Sequence, residues 1–521
     1  MNLILLTFLP LAGAVLLLLT PAGSVKVQRT IALVTTSAVA VLGVMLFGNF
    51  DGISATAQYL SEAPWFQLAG KEQPIDVWFR LGVDGISILL VSLTAILMPL
   101  VVLSAQVHID KRVKEFFFWL LLMETGMLGV FLALDLILFY FFWELSLIPL
   151  YFILGIWGGE RRLYATMKFF LYTVAGSLLM MLGVIWLTYQ TGESDVRALM
   201  TLASGIEPTV QLWIFASFAI GFAIKVPVLP FHTWLADAHT EAPTSGSVVL
   251  AGVLLKMGTY GLLRFGVGMF PAAALEAAPL FMGLGAVGIC YGAFLAMAQT
   301  DIKRLVACSS VSHLGFVVMG IFALTEAGLV GSVLQMVNHG LSTGLLFLLV
   351  GMIYERRHTR ELSQYGGIAR VMPLFAFFFV VSVLASMGLP GLNGFVGEYL
   401  ILLGSFQASP LWATVGVSGI VFGAVYLLMA TRKLLFGALT VEANENLKDL
   451  DFRETFILVP LVGLCLWIGV APNSFIHKTS GSIDAVMLRI ETARDMRTTS
   501  SAFNAPPDAP ATVAASHHEQ P

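Results

Sequence analysis

Runs of about 20 apolar residues, parted by short polar turns, recur along the chain, and each is long enough to cross a bilayer as a helix. They fall near 2–20, 29–48, 84–106, 115–133, 136–157, 164–189, 210–239, 245–265, 275–297, 302–323, 327–353, 373–403, 411–435 and 454–471. The pattern predicts an all-α polytopic membrane protein of about fourteen transmembrane helices. Two runs are interrupted. In 210–239, Lys225 is followed by Pro227 and Pro230. A proline has no N–H and clashes with the carbonyl four residues back, here Ala223 and Val226. In 373–403 the interruption reads Ser386-Met-Gly-Leu-Pro390-Gly-Leu-Asn393-Gly-Phe-Val-Gly-Glu398. Such breaks survive in lipid only where protein or a wet cavity takes up the freed backbone.

The two broken spans are five apart, so they cross in opposite senses, as inverted-topology repeats do. The expected organisation is N-terminal spans over 1–106 with an external hairpin loop at 49–82, then two antiporter-like five-helix repeats. The first repeat covers 107–270 and the second, inverted one 271–436. A last span (437–475) and an external tail (476–521) complete the chain. Within the loop, the runs around Pro64-Trp-Phe and Ile75-Asp-Val-Trp-Phe predict a β-hairpin. Asp195 to Ser204 reads as a short amphipathic surface piece. Beyond Thr498, including Asn504-Ala-Pro-Pro-Asp-Ala-Pro, the composition predicts disorder. The first twenty residues have no cationic start and no small-residue cleavage site, so they read as a retained span.

Composition excludes a soluble domain: 58% of residues are hydrophobic and 12% charged. Charge placement then sets orientation. One set of loops holds 18 lysines and arginines, among them Lys111, Arg112, Arg161, Arg162, Lys303, Arg304, Arg356, Arg357 and Arg360; the opposite set, before the tail, holds only Lys71, Arg80, Arg197 and Arg264. The positive-inside rule puts both termini outside the cytoplasm. The three cysteines, Cys290, Cys308 and Cys465, sit singly in apolar runs, which indicates neither a disulfide framework nor a metal site. There is no phosphate-binding glycine loop and no Cys-x-x-Cys. No redox cofactor is expected on this chain, and nothing points to nucleic acid.

Six ionisable side chains lie deep in predicted spans: Glu144, Lys225, Lys256, His313, His339 and Glu398. A charge at the bilayer centre costs at least about 2.5–3.5 kcal/mol, and buried pairs add little stability. Six such groups from six helices therefore make better sense as a hydrated proton row than as structural locks. Gln335, Asn338, His339 and Ser342 share one helix face, as do Ser309 and His313. Imidazole titrates near neutral pH, which suits a relay. Glu124 is an accessory candidate. His232, Asp237, His239 and Glu241 sit toward one end of the seventh span, where a wetted funnel and a solvated helix end fit equally well.

Phe142-Trp-Glu144-Leu-Ser-Leu-Ile-Pro149, the stretch from Lys225-Val-Pro to Glu241-Ala-Pro243, and Asp301-Ile-Lys-Arg-Leu-Val-Ala-Cys-Ser-Ser-Val-Ser-His313 resemble the antiporter-like membrane subunits of respiratory complex I, NADH:quinone oxidoreductase. The resemblance spans roughly residues 1–475. Gly394-Phe-Val-Gly-Glu398-Tyr matches the one of the three sister subunits with glutamate there; the other two carry lysine. It implies a Glu144–Lys225 ion pair, Lys256 as central proton carrier, His313 and His339 as relays, and Glu398 as exit-side carrier. It also implies no cofactor on this chain, with NADH, FMN, iron–sulfur clusters and quinone handled by partner subunits in a bacterial inner membrane. Cys308 departs from the family, which has tyrosine at that place. An Mrp-type cation/proton antiporter subunit or a related hydrogenase subunit is the alternative, and a passive membrane scaffold is a third reading. An ion pair about 4 Å apart at an effective dielectric near 20 is worth roughly 4 kcal/mol. Moving one charge across about 150 mV takes roughly 3.5 kcal/mol, so such a pair has the right scale to drive a proton.

Overall fold

The computed structural model describes residues 2–71 and 73–503. Helices α1 (Leu3–Leu19), α2 (Val25–Asn49) and α3 (Ser87–His108) flank strands β1 (Gln58–Leu68) and β2 (Ile75–Val83). There follow α4 (Val113–Leu132), α5 (Leu136–Trp157), α6 (Arg162–Thr191), α7 (Val196–Leu202), α8 (Pro208–Lys225) and α9 (Thr233–Glu241). Next come α10 (Thr244–Val267), α11 (Pro271–Met297), α12 (Ile302–Phe322) and α13 (Glu326–Arg357). The chain continues through α14 (Pro373–Ser386), α15 (Asn393–Ala408), α16 (Pro410–Leu435), α17 (Phe452–Val470) and α18 (Ser480–Phe503).

Every predicted span falls on helix. Among the described residues, twelve helices are long and apolar enough to cross a membrane; α1 and α14 are apolar but shorter. The innermost, α10, α12 and α13, are buried all round, so their polar side chains face neighbouring helices and not lipid. The outer helices α2, α6, α16 and α17 bury only a stripe and expose Val41, Leu182, Val421 and Val459. The bundle therefore has an outer ring of half-buried helices around a fully enclosed centre.

Both predicted breaks are present, and at each the structure gives a nearby carbonyl a new donor. At the first, Val228 N donates to Ala223 O (2.8 Å), and the Trp234 indole donates to Ile224 O (3.0 Å). At the second, Leu389 N donates to Leu384 O (3.0 Å), with Gly388 at φ +75° and Gly391 at φ +93°. Only glycine holds such angles cheaply.

The eighth span differs from the uniform helix expected. Its stretches Leu250–Leu254 and Leu262–Val267 are π-helical, enclosing Leu255–Gly261. A π turn inside an α-helix is uncommon and concentrates at functional sites. The tail also differs: α18 stays helical to Phe503, five residues past the expected onset of disorder. Ile483, Val486, Ile490 and Ala493 are buried at near-helical spacing, and Arg489 and Arg494 donate to Gly268 O (3.2 Å) and Leu324 O (2.9 Å). The polar average of this stretch hid that stripe. Asn504 and the proline-rich residues after it lie outside the described residues.

The hairpin forms as expected, antiparallel, with Pro64 opposite Trp78. It is fastened by Asp195, the N-cap of α7, which accepts from Arg197 (2.6 Å to Oδ2) and pairs with Arg80 (3.0 Å); Arg197 also reaches Glu62 (2.7 Å). Burial opposes ionisation of Asp195, but the Arg197 hydrogen bonds outweigh it and hold the carboxyl below its usual range. A depressed folded-state value stabilises above the unfolded one, about 3.9, and is lost as pH falls through the folded one. Asp195→Ala is expected to leave the bundle intact and to speed proteolysis of the 69–74 turn at neutral pH; unchanged cleavage would remove Asp195 as the fastening.

Candidate functional site

The first break ends α8 on Lys225, which is buried. Its ammonium lies over the Trp143 ring at 5.3 Å and the Phe169 ring at 6.0 Å, a cation–π seat. Glu144, next to Trp143 on α5, is half-buried and its Oε1 has no partner. Among the described residues no ion pair within 4.0 Å joins Glu144 to Lys225, so the expected pair stands open. A Cβ at Gly258 would come within 3.1 Å of Lys225 Cβ and 2.9 Å of Phe222 O. That glycine thus lets α8 lie directly against α10, two residues from Lys256.

Lys256 is completely buried. Its ammonium donates to the Ala251 carbonyl in the π-helical stretch and lies 2.6 Å from His339 Nδ1 on α13. The other ring nitrogen of His339, Nε2, has no partner. The His339 and His313 rings then face each other with centroids 5.7 Å apart.

His313, on α12, contacts Glu398 Oε1 on α15 through Nδ1 (3.1 Å) and the Tyr426 hydroxyl on α16 through Nε2 (3.3 Å). Gln335 Nε2 also donates to Glu398 Oε1 (3.1 Å). Asn338 Nδ2 donates to Gln335 Oε1 (3.2 Å) and to Asn393 O (2.8 Å) at the break. Glycine makes this approach fit: a Cβ at Gly397 would sit 2.4 Å from Gln335 Oε1, and one at Gly388 would sit 2.9 Å from Glu398 Oε2. Lys256, His339, His313 and Glu398 are thus brought together from four helices.

The accessory candidates separate. Glu124 is fully buried and neither of its oxygens has a partner. His239 stacks on Phe347 at 4.8 Å with both ring nitrogens unpartnered. His232 meets the Tyr291 ring edge-on at 5.0 Å. Asp237 is not in the row; it pairs with Lys168 (2.8 Å) and Arg304 (3.2 Å) at the basic end. Lys303 and Arg360 donate to Ala242 O and Thr240 O there, so three cations from beyond α11 hold the end of α9.

Tyr426, a direct partner of His313, was missed, because a lone tyrosine in an apolar helix gives no sequence signal. So was the buried Arg264–Asp84 pair at the hairpin end. Among the described residues no cluster of three His, Cys, Asp or Glu could hold a metal ion, and the three cysteines are free.

Two broken helices around a buried row of one lysine, two histidines and one glutamate define an antiporter-like membrane protein. Residues 133–423 match the family described as NADH:quinone oxidoreductase/Mrp antiporter, transmembrane, and the chain belongs to that family. It is 44% identical to NADH-quinone oxidoreductase subunit M of Rhodobacter capsulatus, covering 90% of this chain and 93% of that one. It is 39% identical to NADH-ubiquinone oxidoreductase chain 4 of Chondrus crispus, over 91% and 95%. A chain of respiratory complex I from Thermus thermophilus with bound NADH superimposes with a TM-score of 0.85 at 33% identity, covering 94% and 99%. A chain of the Mrp complex from Dietzia sp. matches with a TM-score of 0.81 at 18% identity, covering 94% and 99%, which is a likeness of fold alone.

Gly397→Ala forces Gln335 away from Glu398. Overpacking of this kind costs about 1–3 kcal/mol, so the bundle is expected to assemble. The carboxyl infrared band of Glu398 is expected to shift as its hydrogen bond is lost; an unshifted band would show that Gln335 does not tune the group.

Proposed function

We propose that this chain is the M-type, proton-translocating membrane subunit of an NADH:quinone oxidoreductase. The observation that carries the reading is the buried contact sequence Lys256–His339–His313–Glu398. Sister antiporter-like subunits and the other membrane subunits are its partners, in a bacterial inner membrane with both termini on the periplasmic side. NADH, FMN, iron–sulfur clusters and quinone belong to partner subunits, and this chain moves protons only.

Lys225 and Glu144 act as the driver, Lys256 as central carrier, His339 and His313 as relays, and Glu398 as exit-side carrier. Glu124, His232 and His239 line the approach. Open, the Lys225 ammonium stays near Lys256 and disfavours a second positive charge there. Closed on Glu144, it is neutralised and Lys256 takes up a proton. Reopening then favours loss of that proton toward His339, whose free Nε2 can release one toward His313 while Nδ1 receives one.

Two inverted repeats fit this scheme, and paired bridges support them. Asp135 forms an antiparallel backbone bridge with Asp195 at the start of α5, and Asp301 with Glu361 at the start of α12, the second bridge offset from the first by 166 residues on both strands. Both aspartates also cap the following helix.

Lys225→Ala and Glu144→Ala are each expected to abolish NADH-driven proton uptake in inverted vesicles without loss of assembled complex. The double variant should be no worse than either single one, because the pair acts as a unit; near-normal pumping in both single variants would remove it from the mechanism. At Glu398, titration rather than charge sign is the requirement. Glu398→Gln should therefore fail, Glu398→Asp retain part of the activity, and Glu398→Lys keep measurable pumping with a shifted pH optimum. Full activity of the glutamine variant would make Glu398 structural. A reporter active only in the cytoplasm, fused after Thr498, should be silent. Sodium-for-proton exchange by the isolated chain would favour the Mrp-type reading.

A further inference from the structure

We propose that the groove between α2 and α17 is a binding site for one anionic phospholipid. The groove holds about 720 Å³ and opens sideways, with α3 as its floor; Leu33, Val44, Ile96, Leu103, Phe456 and Pro460 are among its lining residues. Along α2, Leu33 to Val44 spans eleven residues, roughly 16 Å at 1.5 Å per residue. That matches one leaflet of a hydrocarbon core about 30 Å thick. Apart from Ser37 the walls are apolar over that length, which suits an acyl chain rather than water.

Charge marks one end only. Arg453 lines the groove where α17 begins, and Arg29 stands one helical turn before Leu33 on the same face of α2. Both are pinned to the end of α3: Arg453 donates to Leu103 O (3.0 Å) and Arg29 to Ile109 O (3.1 Å). The two guanidinium groups therefore flank the mouth from opposite walls. Glu355 acts on Arg453 but is itself paired with His108. The other acidic neighbours are weak competitors: Asp110 lies 3.4 Å from Arg29 and is 81% exposed, and Asp451 lies 3.9 Å from Arg453 and is 57% exposed. Exposed pairs of this kind contribute little. The side chains of Arg29 and Arg453 are 26% and 25% exposed beside the mouth, so both offer guanidinium N–H donors to a phosphate oxygen. Phe452 and Phe456 are exposed beside the mouth, where aromatic rings sit at the headgroup level.

At its inner edge the groove meets a second apolar chamber of about 120 Å³, which shares Val44 and Ile96 and reaches Val337 and Leu341 on α13. Val337 and Leu341 lie one turn apart on the face of α13 turned away from His339, so a tail in the groove packs against the back of the helix that carries the relay.

The complex containing this chain, reconstituted in phosphatidylcholine vesicles, is exposed to phosphatidylglycerol carrying a photoactivatable diazirine in its acyl chain, or to the matching phosphatidylcholine probe. The phosphatidylglycerol probe is expected to label peptides from 25–49 and 452–470. The Arg29→Gln/Arg453→Gln variant should lower that labelling about thirtyfold, at about fivefold per cation near an anionic headgroup. Ala40→Phe narrows the groove at mid-length and keeps both arginines; it should lower labelling by the phosphatidylglycerol probe toward the level of the phosphatidylcholine probe. Equal labelling by the two probes, indifference to the arginine variant, or cross-linking of these peptides to a neighbouring subunit would overturn the proposal. No readout depends on proton pumping, so its failure would be distinct from failure of the proposed function.

Discussion

A lysine side chain held at the centre of the bundle is the constraint on which the rest of this structure depends. Lys256 is completely buried, and its partners are a carbonyl and an imidazole. A buried polar group without hydrogen bonds is costly, and a buried charge more so, so the surroundings must supply partners. One is Ala251 O, in the π-helical stretch. The other is His339 Nδ1, whose companion Nε2 has no partner. Two irregular features, the π stretch and the unpartnered His339 nitrogen, thus meet at one buried lysine.

Proline breaks are the other costly feature, and they are resolved differently on their two sides. The first break is closed by local means, a backbone N–H and one tryptophan. The short α9 beyond it is then held from outside by Arg304, Lys303 and Arg360. Cations at a helix C-terminus suit its macrodipole. The consequence is a link between the two halves of the molecule: elements after α11 hold the end of the broken helix that carries Lys225. A change in one half therefore has a mechanical path to the other.

Much of this was legible in the chain itself. Apolar run length is a local property, so the sequence alone determined where helices cross, where Pro227, Pro230 and Pro390 interrupt them, and which ionisable groups lie deep. The hairpin and the Asp195 surface helix were legible for the same reason, since turn residues and alternation act over short distances. Partner choice was not. That Lys225 rests on Trp143 and Phe169 rather than on Glu144, that Tyr426 meets His313, that Asp237 serves an anchor rather than the row, and that α18 is tied down by Arg489 and Arg494 were decided only by tertiary packing. These contacts join residues tens to hundreds of positions apart. Ångström differences in how helices approach, set by glycines such as Gly258 and Gly397, determine which of several polar groups comes within hydrogen-bonding reach.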